Sequence, residues 1–245
     1  MRRKGFTLSE VLITLSIIGI VAATSMPIIS SSVKHKRVGP QLRKFSAVME
    51  NANSILLAQQ GATKLSKAVS SFENDYIYQL PNIVKGSVAI DSSGNAVTLT
   101  NYAKPALKTF TGSSYGSEGA FPYVIRFQSN DEVAISNGIL GLKSTVSQRG
   151  TYLLGTWKVC LYDINGFKTG PNKLAKDIFM FIIDNSGVMV PVGSKQEMPL
   201  LSGETPEAPR WQTSCGENAT PSGTVAGLTC AGSIADNDWK VVYAY

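Results

Sequence analysis

The sequence predicts an α+β protein in which a long amino-terminal helix, begun in a membrane, packs against the antiparallel β-sheet of a head. Three observations carry that expectation. Residues 11–29 are nineteen positions without a charge. Apolar residues then recur at spacings of three and four as far as Leu56, the period of an amphipathic helix. The remainder reads as short strands separated by Gly, Asn, Asp and Ser turns.

In chain order, Arg2, Arg3 and Lys4 form a basic leader, and Gly5-Phe6 is a junction that a peptidase could read. At a rise of about 1.5 Å per residue the uncharged run spans roughly 29 Å, close to the roughly 30 Å hydrocarbon core of a bilayer. A secretory signal peptide carries a shorter apolar stretch with a small-residue cleavage site after it. Here the junction precedes the apolar stretch, so cutting would leave the anchor on the mature chain. Glu10 places a carboxylate one turn inside that helix, where it is expensive to bury and wants a partner charge.

A basic leader followed by Gly5, Phe6, Thr7, Leu8 and Glu10 resembles the type IV prepilin and type II secretion pseudopilin family. Pro27, twenty-second after the junction, falls where many type IV pilins carry a helix-bending proline. Ser9 stands where the family usually has an aliphatic residue. The resemblance implies a pilin-like roll and no cofactor. It implies that a prepilin peptidase removes residues 1–5 and methylates the new amine of Phe6, and that Glu10 guides assembly with other pilin or pseudopilin subunits, paired with the Phe6 amine of a neighbour. It also implies a single pass through the cytoplasmic membrane, with the amino terminus cytoplasmic and the head translocated. The competing reading of these residues is an uncleaved signal anchor whose Glu10 lies among lipid headgroups.

The domain expectation is a leader at 1–5, a transmembrane segment at 6–29, an amphipathic continuation at 30–60 and a β-rich head at 61–245. The apolar stripe of the continuation is Val38, Leu42, Phe45, Val48, Met49, Ala52, Ile55 and Leu56. Gly39-Pro40 predicts a bend at its start and leaves a break open, because an internal proline removes a backbone bond. Residues 83–90 and 96–102 read as strands joined by a turn at 91–95, and 109–119 as a surface loop. Further strands are expected at 123–128, 132–136, 156–164, 178–183 and 188–192, with Asp-Asn-Ser-Gly at 184–187 as a hairpin turn.

At 245 residues and 43% hydrophobic content the chain can hold one sizeable domain beyond the anchor. The formal net charge of +6 falls by three when Arg2, Arg3 and Lys4 are removed, and a weakly basic chain does not by itself indicate nucleic acid. Lys34, His35, Lys36 and Arg37 follow the span as closely as the leader precedes it, so charge alone leaves the orientation open. His35, the only histidine, reads as a solvated member of that cluster. Lys104, Lys108, Arg126, Lys143 and Arg149 are scattered, and DNA capture would need folding to cluster them.

Cys215 and Cys230 flank a loop rich in Gly, Thr, Ser and Pro, and a translocated head meets an oxidising compartment. A disulfide closing that loop would contribute on the order of 3 kcal/mol, and its placement resembles the stapled carboxyl-terminal loop of many type IV pilins. Cys160, inside a strand-like segment, reads as a small buried hydrophobe. Asp163, Asn165, Gly166, Asn172 and Asp177 offer the alternating oxygens that calcium favours. The stretch lacks a closing bidentate Glu, and Lys168, Lys173 and Lys176 oppose a cation. It reads instead as a strand ending in an Asn-Gly turn, and no metal is assigned.

The sequence offers no Ser-His-Asp or Cys-His arrangement, no Gly-rich phosphate loop and no Cys-x-x-Cys pair. Its expected function is therefore that of a structural filament subunit. The alternative is a minor pilin at a filament tip whose head binds DNA or a surface ligand, and a tethered enzyme ranks last.

Overall fold

The computed structural model describes residues 7–70, 72–89, 107–114, 123–136, 156–197, 212, 215–221 and 226–244. It comprises two compact units, Met1–Arg37 and Val38–Tyr245. Helix α1, Leu8–Gln59, contributes to both.

In the first unit, Leu8–Ser25 is a segment long and apolar enough to cross a membrane, with none of it buried in the chain. A helix apolar on every face is one that lipid or a large core must cover. Its hydroxyls are satisfied internally: Thr14 donates to the Glu10 carbonyl at 3.0 Å, Ser16 to Leu12 at 2.8 Å, Thr24 to Ile20 at 3.1 Å and Ser25 to Val21 at 2.7 Å. These residues therefore bring no orphaned donor into hydrocarbon.

In the second unit, α1 buries Val38, Leu42, Phe45, Met49, Ala52 and Leu56. Their alternating spacings of four and three keep one row of side chains on the sheet. The expected stripe was too wide, for Ile55 is 37% exposed and Val48 half-buried. Each precedes a row member by one position and is turned to the flank. Two polar residues share the buried face instead, Ser46 and Asn53. Asn53 donates to the Gly187 carbonyl at 2.8 Å and accepts from the Tyr76 hydroxyl at 2.7 Å, so both ends of its amide are satisfied.

The helix runs through Gly39-Pro40 without the break that the sequence left open. Pro40 is exposed and Gly39 is buried. A Cβ at Gly39 would lie 1.6 Å from the carbonyl oxygen of Trp239, so the glycine marks a close approach of two backbones. Gly39→Ala should lower the stability of the full chain by about 1–3 kcal/mol through overpacking, although alanine is the better helix former by about 1 kcal/mol. Urea unfolding in detergent reads the sign, and a stabilised variant would remove the contact from the account.

The sheet is a six-stranded antiparallel meander in chain order: β1 Val88–Ala89, β2 Tyr123–Arg126, β3 Glu132–Ile135, β4 Thr156–Asp163, β5 Ile178–Asp184 and β6 Met189–Pro191. β4 and β5 form its longest pairing, with Cys160 opposite Phe181 and Asp163 opposite Ile178. Along β5, Phe179, Phe181 and Ile183 enter the core beneath α1, while Ile178, Met180 and Ile182 enter a second core with Val124, Val159, Leu161, Leu174 and Leu228. Alternation of period two places them so, and an unbroken apolar run is what a strand buried on both faces requires. The sheet therefore has two covered faces, where the sequence suggested one.

Two sequence expectations about the head need correction. The strand at 83–90 shrinks to β1, because Leu80–Ile83 forms the short helix α3, with Pro81 in a first turn that tolerates it. A further short helix, α2, covers Leu65–Ala68. The surface loop at 109–119 is anchored at its start, where Thr109 and Phe110 are buried and Phe110 N–H donates to the Ala226 carbonyl at 2.8 Å, whereas Thr111, Ser113 and Ser114 are exposed as expected. The strand at 96–102 and its turn lie outside the described residues. The turn after β5 forms as expected, with Asp184 accepting from Ser186 N–H at 2.8 Å and Val188 N–H at 2.9 Å.

Helix α4, Cys230–Asp236, closes the head. Cys230 is bonded to Cys215 across a Cα separation of 5.3 Å. Gly232 lets α4 meet the turn after β6, where a Cβ would stand 2.1 Å from Ser194 N. Cys160 is free and buried, and burial pushes its thiol well above the ordinary range. That makes it inert, as a buried structural cysteine is.

Candidate functional site

Two groups of residues hold chemistry beyond packing, one at the start of α1 and one in the head. At the start of α1, Thr7 and Glu10 form a reciprocal cap. Thr7 N–H and Thr7 Oγ1 both donate to Glu10 Oε2 at 2.8 Å, and Glu10 N–H donates to Thr7 Oγ1 at 3.4 Å. This is the Thr-x-x-Glu capping box, in which two orphan amides at a helix start are satisfied reciprocally. Its Thr7-Leu-Ser-Glu10 signal lies inside the same residues that make up the processing motif. The arrangement survives loss of residues 1–5, since the Thr7 amide remains. Gly5 and Phe6 lie outside the described residues. Pro27 lies within α1, and its side chain, like that of His35, is outside what is described.

In the head, the segment between β4 and β5 gathers carboxylates and amides at one end of the sheet. Asp163 is fully buried, and its Oδ1 accepts from Asn165 N–H at 3.0 Å. Glu132, opposite Asp163 across the β3–β4 pairing, accepts from Arg126 Nε at 2.8 Å and Phe167 N–H at 3.0 Å. Asp177 accepts from the amides of Asn172 at 2.8 Å and Lys173 at 2.6 Å. Burial pushes the Asp163 carboxyl up to about 8, with repulsion from Asp177 and Glu132 adding to it. Burial also raises Asp177. Among the described residues no three His, Cys, Asp or Glu side chains form a metal-binding group.

The scattered basic residues do not gather into a described patch. Arg126 is paired with Glu132, with Nη2 at 2.7 Å, and Lys108 is exposed. Lys104, Lys143 and Arg149 lie outside the described residues.

Residues 1–26 match the Prokaryotic N-terminal methylation motif. This is the prepilin-type cleavage and methylation motif of type IV pilins and pseudopilins, a structural rather than catalytic class. Neither a curated protein nor a solved structure matches the chain. The motif and the apolar helix fit a single-pass anchor in an inner membrane, and the helix with its antiparallel sheet is an α+β, pilin-like fold.

Proposed function

We propose that this chain is a pilin-like or pseudopilin subunit, cut after Gly5 and methylated on Phe6 by a prepilin peptidase. It then polymerises through α1 into a type II secretion pseudopilus or a type IV pilus. The observation that carries this reading is the methylation motif at residues 1–26, set directly against a helix that is apolar on every face. The amino terminus stays cytoplasmic and the head lies outside. Within the filament apolar helices pack against one another, driven by close contact rather than by a hydrophobic force between them. Glu10 supplies the register, because a carboxylate in such a bundle is costly until a neighbour's Phe6 amine meets it. Both Thr7 bonds fall on Oε2, which leaves Oε1 for that partner. Pro27 shapes the helix that packs. At 245 residues the chain is long for a compact major pilin, which favours a minor or specialised subunit. In this reading the protein is a substrate of the peptidase and is not itself an enzyme.

Mass spectrometry of the membrane-extracted protein should find an amino-terminal N-methyl-phenylalanine at residue 6. An intact Met1 in cells with active prepilin peptidase would overturn the reading. Gly5→Val should leave the leader on the chain, since a branched side chain replaces the residue at the cut.

A further inference from the structure

A cavity of about 160 Å³ opens on the second unit between α1, the turn after α3 and the turn that joins β2 to β3. Its apolar lining draws on all three: Phe45 and Val48 from α1, Val84 from the turn after α3, and Phe127 from the β2–β3 turn. Phe45 is buried and the other three are half-buried, so Phe45 supplies the floor. That floor is fixed, because Phe45 stacks on Tyr162 and meets Phe127 edge-on. The turns are held too. Phe127 N–H donates to the Asp131 carbonyl at 2.9 Å, and Ser87 N–H donates to the Val84 carbonyl at 3.0 Å. A cavity shaped before its ligand arrives binds without the cost of ordering its walls.

The charges around this cavity are not matched within the chain. Lys44 and Lys85 also line it and are exposed, and among the described residues neither forms an ion pair. Asp131 is the one carboxylate among the described lining residues. It is buried, and its oxygens accept from the Ser129 and Tyr162 hydroxyls, which turns it toward the chain. Two ammonium groups over one inward-held carboxylate leave a net positive charge, and that field favours a monoanion whether or not both lysines touch it. The size of the apolar part follows from the volume. A protein cavity of roughly 150 Å³ holds benzene, so the body that fits here has about six carbons.

We propose that this cavity binds a small monocarboxylate, an aromatic or branched acid whose apolar body lies on Phe45 between Val48, Val84 and Phe127. The carboxylate faces the mouth, where the field of Lys44 and Lys85 holds it. An acid of about ten heavy atoms should bind there with a dissociation constant of roughly 0.1–1 mM. The inference is independent of filament assembly, and its failure would leave the filament reading untouched.

The test is titration of the full chain in detergent with para-fluorophenylacetate, read by fluorine NMR against the same detergent without protein. One saturable site per chain is expected. Phenylacetamide, which has the same shape and no charge, should compete about fivefold more weakly or worse, and phenethylamine, which carries the opposite charge, should not compete. Replacing both lysines, Lys44→Gln with Lys85→Gln, should weaken binding by about tenfold, and because both are exposed the double variant keeps the fold. Val48→Phe fills the cavity while leaving both charges, and should abolish binding. No saturable signal, equal competition by the amide, or full affinity retained by either variant would each overturn the proposal.

Discussion

Glu10→Val should insert into the membrane normally and, on the proposed pairing, lose sheared-filament yield by about tenfold or more, since a neighbour's Phe6 amine would be left as an unmatched charge among apolar helices. The capping box supplies a second explanation for such a loss, and two further variants separate them. Glu10→Gln keeps an acceptor for Thr7 N–H, as glutamine does at this position of a capping box, but carries no charge. Thr7→Val keeps the charge and loses the reciprocal cap. If the charge sets the register, the Gln variant fails with the Val variant while Thr7→Val assembles. Normal filament incorporation of Glu10→Gln would show instead that the carboxylate serves only to start the helix.

Phe45→Ala should cost about 3–5 kcal/mol of head stability, the range for deleting a buried aromatic ring. Phe45 stacks on Tyr162 with centroids 4.0 Å apart and meets Phe181 edge-on at 5.2 Å and Phe127 at 6.1 Å. Removing it unseats the point where α1 touches β4 and β5 together. Tyr162 is also held by its hydroxyl, which donates to Asp131 Oδ2 at 2.7 Å, so the ring is not free to collapse into the space. The comparison is Ile55→Ala, which removes an aliphatic side chain from the flank and should stay within about 0.5 kcal/mol. Urea titration of the full chain in detergent reads both, and equal losses would return Ile55 to the buried row.

The elements legible in the sequence were those with local causes. β2, β3, β4 and β6 lie within the expected segments and β5 overruns its segment only by Asp184, because alternation and turn residues act over a few positions, and the row from Val38 to Leu56 follows from helical period alone. What could not be read depends on partners distant in the chain. Asn53 looks like a misplaced polar residue until Gly187 and Tyr76 come to it. Phe110, set among Thr and Gly, gave no periodicity, and it is buried in the core with its N–H on the distant Ala226 carbonyl. The amides of Asn165 and Asn172 look like ordinary turn formers, and only the carbonyls they engage reveal that their oxygens are stranded. The start of α1 was the reverse case: the Thr-x-x-Glu pattern was visible but was absorbed into the processing motif.

The meeting of Gly39 with Trp239 also has a bearing on timing. A polypeptide leaves the ribosome, and crosses a membrane, in order from its amino end. The turn of α1 at Gly39 is therefore closed against a residue made long after it. Contacts so distant along the chain form late, after the loop between them has been closed at an entropic cost. Until Trp239 arrives, the backbone of α1 at Gly39 lacks the carbonyl it packs against. A nascent chain stopped upstream of Trp239 is thus a species in which that approach of two backbones is still unmade, the kind of unfinished packing that chaperones recognise.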